Sequence, residues 1–283
     1  MPLVRRPYTG TVSTTVADVA AAAERLWPAA GAESWDAVGL IAGDPGAPVT
    51  SILLAVDAVL DTAAEAVDQG VDMLLVHHPL LLRGVTSVSS DRYKGATLTR
   101  LIRANCALLA AHTNADVVET GTSAAFADRL GLIDVRPIVA GANPARGIGR
   151  VGRLPHPTTL GTLARALGDI LPATASGIRV AGEFDRPIST VALCGGAGDA
   201  YLTESAVTSA DVYITSDLRH HPASEARENA RAGAGPALID VSHWASEWLW
   251  LENAATELRN ELPGVTITVS ELRTDPWDFA IVQ

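Results

Sequence analysis

Short, almost wholly apolar runs alternate along this chain with amphipathic or alanine-rich stretches, and several of the runs stop at a histidine. That alternation commits the chain to βαβ units and a largely parallel or mixed sheet, since a run buried on both faces needs helices above and below it. Strands are predicted at 51–56, 73–76, 107–111, 178–184, 190–193, 212–215, 237–241 and 265–269. Helices are predicted from a cap at Thr14 or Thr15 to about Trp27, and at 58–68, 98–103, 123–130, 160–171, 200–208, 222–230 and 244–262. Between about Pro137 and Pro157 glycine, proline and arginine crowd together, which reads as a linker or loose crossing. Cys194-Gly-Gly-Ala-Gly198 reads as a glycine turn. With 283 residues there is room for two compact domains, or for one with a sizeable insertion.

The net charge of −11 argues against nucleic acid and against an anionic membrane surface as partners, because both need a basic face. The opening Met1-Pro-Leu-Val-Arg-Arg-Pro-Tyr8 has two arginines but no apolar run behind them, unlike a signal peptide. A soluble, cytoplasmic protein is expected. Cys106 and Cys194 both sit in apolar settings and read as buried free thiols. Neither belongs to a C-x-x-C pair, so any metal must rely on imidazole and carboxylate.

The chemistry gathers at strand ends. Val71-Asp-Met-Leu-Leu-Val-His-His-Pro79 delivers His77 and His78 where a buried strand should stop, the edge at which open α/β sheets bind ligands. Two imidazoles there could hold a metal ion or act as an acid/base pair; two loop histidines would look the same. His112 and Asp116 follow the next predicted strand, with Asp116 suited to bridging two ions and His112 to coordination or support. His243 and Glu247 stand four apart at a helix start, so both side chains leave one face and could share an ion. Asp217, His220 and His221, in Thr215-Ser-Asp-Leu-Arg-His-His-Pro222, could line the same cleft or form a polar loop. The glycine turn lacks P-loop and dinucleotide-binding spacing, and a plain tight turn fits it better than an anion cradle. Three strand ends presenting His and carboxylate together weigh more than any single motif.

Taken in order, Trp35-Asp-Ala-Val-Gly-Leu40, Val76-His-His-Pro-Leu80, His112-Thr-Asn-Ala-Asp116, Cys194-Gly-Gly-Ala-Gly198, Thr215-Ser-Asp217 and Ser242-His-Trp-Ala-Ser-Glu247 resemble the Nif-three-like family of dinuclear-metal proteins. Its members are also named homologues of GTP cyclohydrolase I type 2. The resemblance spans nearly the whole chain. It implies two α/β domains with mixed sheets, the second inserted into the first, and a metal site in the cleft between them. Residues 1–132 and 236–283 would form the metal-binding domain, and 133–235 the insertion. Carried over by position, the ligands of two divalent ions (Zn, Fe, Mn or Ni) would be His77, His78, Asp116, His243 and Glu247. His112 would stand beside them as a catalytic proton carrier, and Asp217, His220 and His221 would meet the substrate.

The resemblance further implies a homohexamer, a trimer of dimers or two stacked trimers. The expected activity is hydrolysis of a small, anionic, nucleotide-like or phosphorylated molecule by a hydroxide shared between two ions ~3.5–4 Å apart. A metal-binding scaffold without turnover is the other class open to this donor set. Ala37, Ser216 and Ser242 depart from the family's usual Asn, Gly and Gly, and none of them removes a ligand.

Overall fold

A computed structural model describes residues 13–281, so the arginine-bearing opening segment lies outside the described residues. The first half contains α1 (Val16–Leu26), β1 (Gly39–Ala42), β2 (Ser51–Asp57), α2 (Leu60–Asp68), β3 (Met73–His78), α3 (Tyr93–Arg103), β4 (Ala107–Ala110), α4 (Thr113–Asp116) and α5 (Thr122–Arg129). The middle contributes β5 (Ile133–Arg136), β6 (Val139–Ala140), β7 (Gly147–Ile148), β8 (Arg150–Thr159), α6 (Leu160–Ile170), β9 (Arg179–Ala181) and β10 (Pro187–Ala197). The remainder supplies α7 (Ser205–Thr208), β11 (Val212–Ser216), α8 (His220–Arg231), β12 (Ala237–Val241), α9 (His243–Trp248), α10 (Leu251–Glu261) and β13 (Thr266–Val269).

Two mixed sheets dominate. The first runs β1-β4-β3-β2-β13, parallel except for β1; the second runs β5-β8-β10-β11-β12-β9, with β10, β11 and β12 parallel. Alternate residues of each strand go to opposite faces. Ile52, Leu54, Met73, Leu75 and Leu109 join Val191, Leu193, Val212, Ile214 and Ile239 of the second sheet in one apolar cluster, which α1, α5, α9 and α10 fill. Leu53, Ala55, Leu74, Val76 and Leu108 turn the other way, onto Ala63, Ala66, Leu98 and Leu101 of α2 and α3. Tyr213, Ala192 and Leu238 face Ala206, Val207 and the α8 side of the second sheet. The strands are apolar on both faces because helices cover both, which is why they read as continuous runs rather than alternating ones.

Local signals explain several element ends. Thr15 accepts a hydrogen bond from the backbone N–H of Asp18 while the Asp18 carboxylate accepts from Thr15, a capping box that starts α1 where the threonine predicted it. Both cysteines are buried free thiols, as expected. Among the described residues no helix is long and apolar enough to cross a membrane.

Other expectations need correction. The stretch read as linker contains most of β8, a strand of which six residues pair with β10. It reads as loop because Pro155 and Pro157 lie in its register break with β10, and β5 covers only the Val151–Arg153 part of its other side. Proline is tolerated where no ladder bond is required. Arg150 opens β8 fully buried, its guanidinium donating to the carbonyls of Gly147, Gly149 and Val118. The glycine turn is likewise the bulged end of β10. The helix predicted at 244–262 is two helices, α9 and α10, broken at the buried Leu249 and Trp250. The helix predicted at 200–208 shrinks to a 3-10 turn at Asp199–Tyr201 followed by α7. β12 pairs with β11 and β9 in the second sheet. The chain returns to the first sheet only with β13, which pairs with β2.

Candidate metal centre

Six side chains from four elements meet at the carboxyl ends of the first sheet's parallel strands. β3 supplies His77 and His78; the turn after β4 supplies His112; α4 supplies Asp116; α9 supplies His243 and Glu247. His77 continues the inward series of Met73 and Leu75 and is fully buried. Its Nε2 lies 3.6 Å from Asp116 Oδ1 and 3.5 Å from Glu247 Oε1. His243 Nε2 is 2.9 Å from Glu247 Oε1, so the four-residue helical spacing does bring that pair together. His78 Nε2 lies 2.9 Å from Glu247 Oε2 and 3.2 Å from His243 Nε2. Two sets of donor atoms each gather within 4.8 Å, His77–His78–His112 and His78–His243–Glu247.

The far side of every imidazole is tied to oxygen. Nδ1 of His77 donates to the Ala111 carbonyl (2.9 Å), that of His78 to Asp57 (2.7 Å), that of His112 to Asp36 (2.9 Å) and that of His243 to Asp217 (2.7 Å). These acceptors place the ring proton on Nδ1 and leave each Nε2 lone pair facing the centre, the arrangement that orients metal-binding histidines. Two bare lone pairs 3.2 Å apart would repel; a proton shared with Glu247, or a cation among them, removes the conflict. His77 Nε2 is buried without a hydrogen-bond partner, an expensive state for a polar atom unless a further ligand fills the gap. Imidazole and carboxylate donors without thiolate suit first-row divalent ions. The residues therefore fit the group.

Charge follows the same geometry. Burial disfavours protonation of His78, yet Glu247 and Asp57 outweigh it and push its pKa up to about 10. Burial likewise opposes His243, and Glu247 with Asp217 still raises it well above the ordinary range. Glu247, although buried, is held well below the usual carboxylate range by His243, His78 and His77. Burial raises Asp116, whose Oδ1 accepts from Thr122. Burial and the neighbouring His77 lower His112, so its imidazole is neutral near pH 7. Without an ion, protons on His78 and His243 supply the positive charge that this cluster demands.

The cluster opens into a cavity of ≈ 750 Å³ lined also by Trp35, Arg179, Tyr201, Asp240 and Trp277. Asp217 lines it, but its carboxylate is committed to His243; its φ of +59° holds it at the turn after β11. His220 and His221 do not line it: they sit exposed on the first turn of α8, ring edge to ring face at 5.2 Å. Sequence reasoning passed over Asp57 and Asp36, which orient His78 and His112. Asp57 ends β2 as His78 ends β3, and the two are register partners, so the strand-end rule could have found it. Gly196 was read only as part of a turn. Its φ is +71°, and a Cβ there would collide with Glu247 Oε1 and lie 3.2 Å from His243 Nε2, so only glycine leaves this space open.

The profile of the family described as Duf34/NIF3 (NGG1p interacting factor 3) matches residues 14–276. The chain belongs to the Duf34/NIF3 family. It is 45% identical over 270 residues to a Streptomyces coelicolor protein named GTP cyclohydrolase 1 type 2 homolog, with 93% of each chain covered. A Mycobacterium tuberculosis protein of the same name is 33% identical over an alignment of 376 residues that covers 95% of this chain and 98% of that one. That alignment exceeds the 283 residues here, so the mycobacterial relative carries inserted sequence that this chain lacks. Among solved structures, a Staphylococcus aureus hypothetical protein, SA1388, superposes with a TM-score of 0.86 at 27% identity, covering 95% of this chain and 100% of that one. Membership accounts for the mixed α/β architecture.

Proposed function

We propose that His77, His78, Asp116, His243 and Glu247 hold two divalent cations, and that the centre hydrolyses a small nucleotide-like or phosphorylated substrate. The observation that carries this reading is the convergence of three imidazole Nε2 atoms on the buried Glu247, with Asp116 beside His77 and with the Nδ1 of these three rings and of His112 tied to oxygen. The name shared by the curated relatives supports the choice of substrate class. When bound, a pair of divalent ions supplies Lewis acidity and a template for substrate oxygen. The chain's own groups do the rest. Glu247 faces both histidine sets, and Trp35 packs its ring edge against His112 at 5.9 Å. His112, neutral and oriented by Asp36, can accept a proton at Nε2 and pass it on. Among the described residues Arg179 is the one arginine or lysine in the lining, and it is paired with Asp240 at 2.8 Å. An anionic substrate would therefore find its positive charge at the cations, which makes ion binding a precondition for substrate binding.

His112 decides between catalysis and coordination. The His112→Ala protein should keep two ions per chain by mass spectrometry while losing roughly 10²–10⁴-fold in turnover of nucleotide or phosphoester, the usual size of a general acid–base contribution. Loss of an ion instead would make His112 a ligand; unchanged turnover would end its catalytic role. Metal uptake should also release protons, since His78 and His243 must become neutral to bind. Apparent zinc affinity should thus fall as pH drops, by roughly tenfold per pH unit for each proton displaced. Calorimetry in buffers of different ionisation enthalpy counts those protons, and a pH-independent affinity between 6 and 8 (a range set by ordinary buffers, roughly bracketing the unperturbed histidine pKa) would refute this.

One observation favours a second reading, a metal-binding scaffold without turnover: His220 and His221, expected to contact substrate, face solvent outside the cavity. Absence of turnover of GTP and of phosphoesters by the zinc-, iron- and manganese-loaded protein would support that reading.

A further inference from the structure

The segment after β13 crosses the site, and its polar side chains have no role in the reading above. Trp248 Nε1 donates to the Ser270 carbonyl at 3.0 Å, and Ser270 Oγ donates to Glu65, which anchors the start of the segment. Four residues on, Thr274 Oγ1 donates to Asp57 Oδ2, while the other oxygen of Asp57 takes the Nδ1–H of His78. The next residue, Asp275, accepts from Ser242 Oγ at 2.5 Å through Oδ2. Ser242 in turn caps α9 by accepting from Ala245 N at 3.2 Å, so it sets the start of the helix that carries His243 and Glu247. Asp275 Oδ1 accepts the backbone N–H of Trp277 at 3.2 Å, which closes the turn and leaves Trp277 on the cavity wall.

Two consecutive residues thus reach the supports of His78 and of His243–Glu247. The opposite side has different supports: the Ala111 carbonyl for His77, Thr122 for Asp116 and Asp36 for His112. We propose that Thr274 and Asp275 are positioning residues for one of the two cation sites, the one formed by His78, His243 and Glu247, and that the His77–Asp116 side is independent of them. The proposal rests on the metal reading above. Thr274 holds Asp57 in the rotamer that orients the His78 ring, and Asp275 holds the cap from which His243 projects. Asp57 stands one step behind His78 and Ser242 caps the helix that carries His243; partners behind a ligand typically carry 10- to 100-fold in metal affinity, and Thr274 and Asp275 act through these two.

The test uses the full chain stripped with chelator, comparing wild type with Thr274→Val, Asp275→Ala and Thr274→Ser. Zinc is titrated in competition with a chromophoric chelator to resolve two affinities, and each protein is melted in excess EDTA. Thr274→Val and Asp275→Ala should each weaken one affinity by roughly 10- to 100-fold and leave the other unchanged. Thr274→Ser, which keeps the hydroxyl, should match wild type, and melting in EDTA should not change. The proposal is overturned if both affinities fall together, if neither falls, if serine fails to rescue, or if the variants already melt lower in EDTA, the mark of a merely structural segment. Fewer than two zinc ions on wild type would overturn the metal reading itself, a result distinct from failure of the variants.

Discussion

Replacing His243 and Glu247 together by alanine should abolish stoichiometric metal binding while the chain stays folded. The pair supplies the i,i+4 donors of α9, and Glu247 lies within 3.5 Å of three imidazole Nε2 atoms, so no other residue substitutes for it. Two divalent ions per wild-type chain by mass spectrometry, against none in the folded double variant, is the expected outcome. The fold should survive because α9 keeps its Ser242 cap and the buried Trp244, Ala245 and Leu249, which join the central cluster. With Glu247 gone, its stabilisation of protonated His77 and His78 goes as well, and these imidazoles should titrate nearer their ordinary value. A double variant that keeps both ions would remove the assignment of this centre.

Trp250→Ala should be the most damaging single change to stability outside the centre. Trp250 is fully buried at the break between α9 and α10, packed edge-on to Trp27 at 5.2 Å and against the His77 ring at 5.3 Å. Truncating a buried tryptophan typically costs about 3–5 kcal/mol, because the surrounding core cannot collapse into the space. For a chain of this size that corresponds to a fall in melting temperature of roughly 6–20 °C. Trp250→Phe should cost much less: it keeps most of the ring and removes an indole N–H that has no partner in the core. Equal effects of alanine and phenylalanine, in thermal melts followed by circular dichroism, would show that the site relaxes freely.

Much of the fold was legible because its physical causes are local. The strands of the first sheet announce themselves as uninterrupted apolar runs, since α2 and α3 cover one face and the helices between the sheets cover the other. Thr15 and Asp18 specify the start of α1 within four residues. β8 was illegible for an equally physical reason: its prolines sit in a register break, and long-range pairing with β10, not composition, makes it a strand. The break between α9 and α10 was hidden because both sides have helical periodicity, and burial of Leu249 and Trp250 decides where the axis changes.

The site divides the same way. By itself the sequence determined which residue types stand at strand ends and helix starts: the His77–His78 pair, the step from His112 to Asp116, and the His243–Glu247 spacing. Each follows from the period of a strand or the pitch of a helix, set within a few residues. Only the tertiary structure decided that Asp57, Asp36 and Asp217, with the Ala111 carbonyl, all distant in sequence from the histidines they hold, would turn every Nε2 inward. It also decided that Gly196 would leave room beside Glu247, that His220 and His221 would face solvent, and that Thr274 and Asp275 would reach the supports from the far end of the chain. Those contacts depend on β13 pairing beside β2 and on α9 packing against β10, and chain closure over some 200 residues has no signature in local composition.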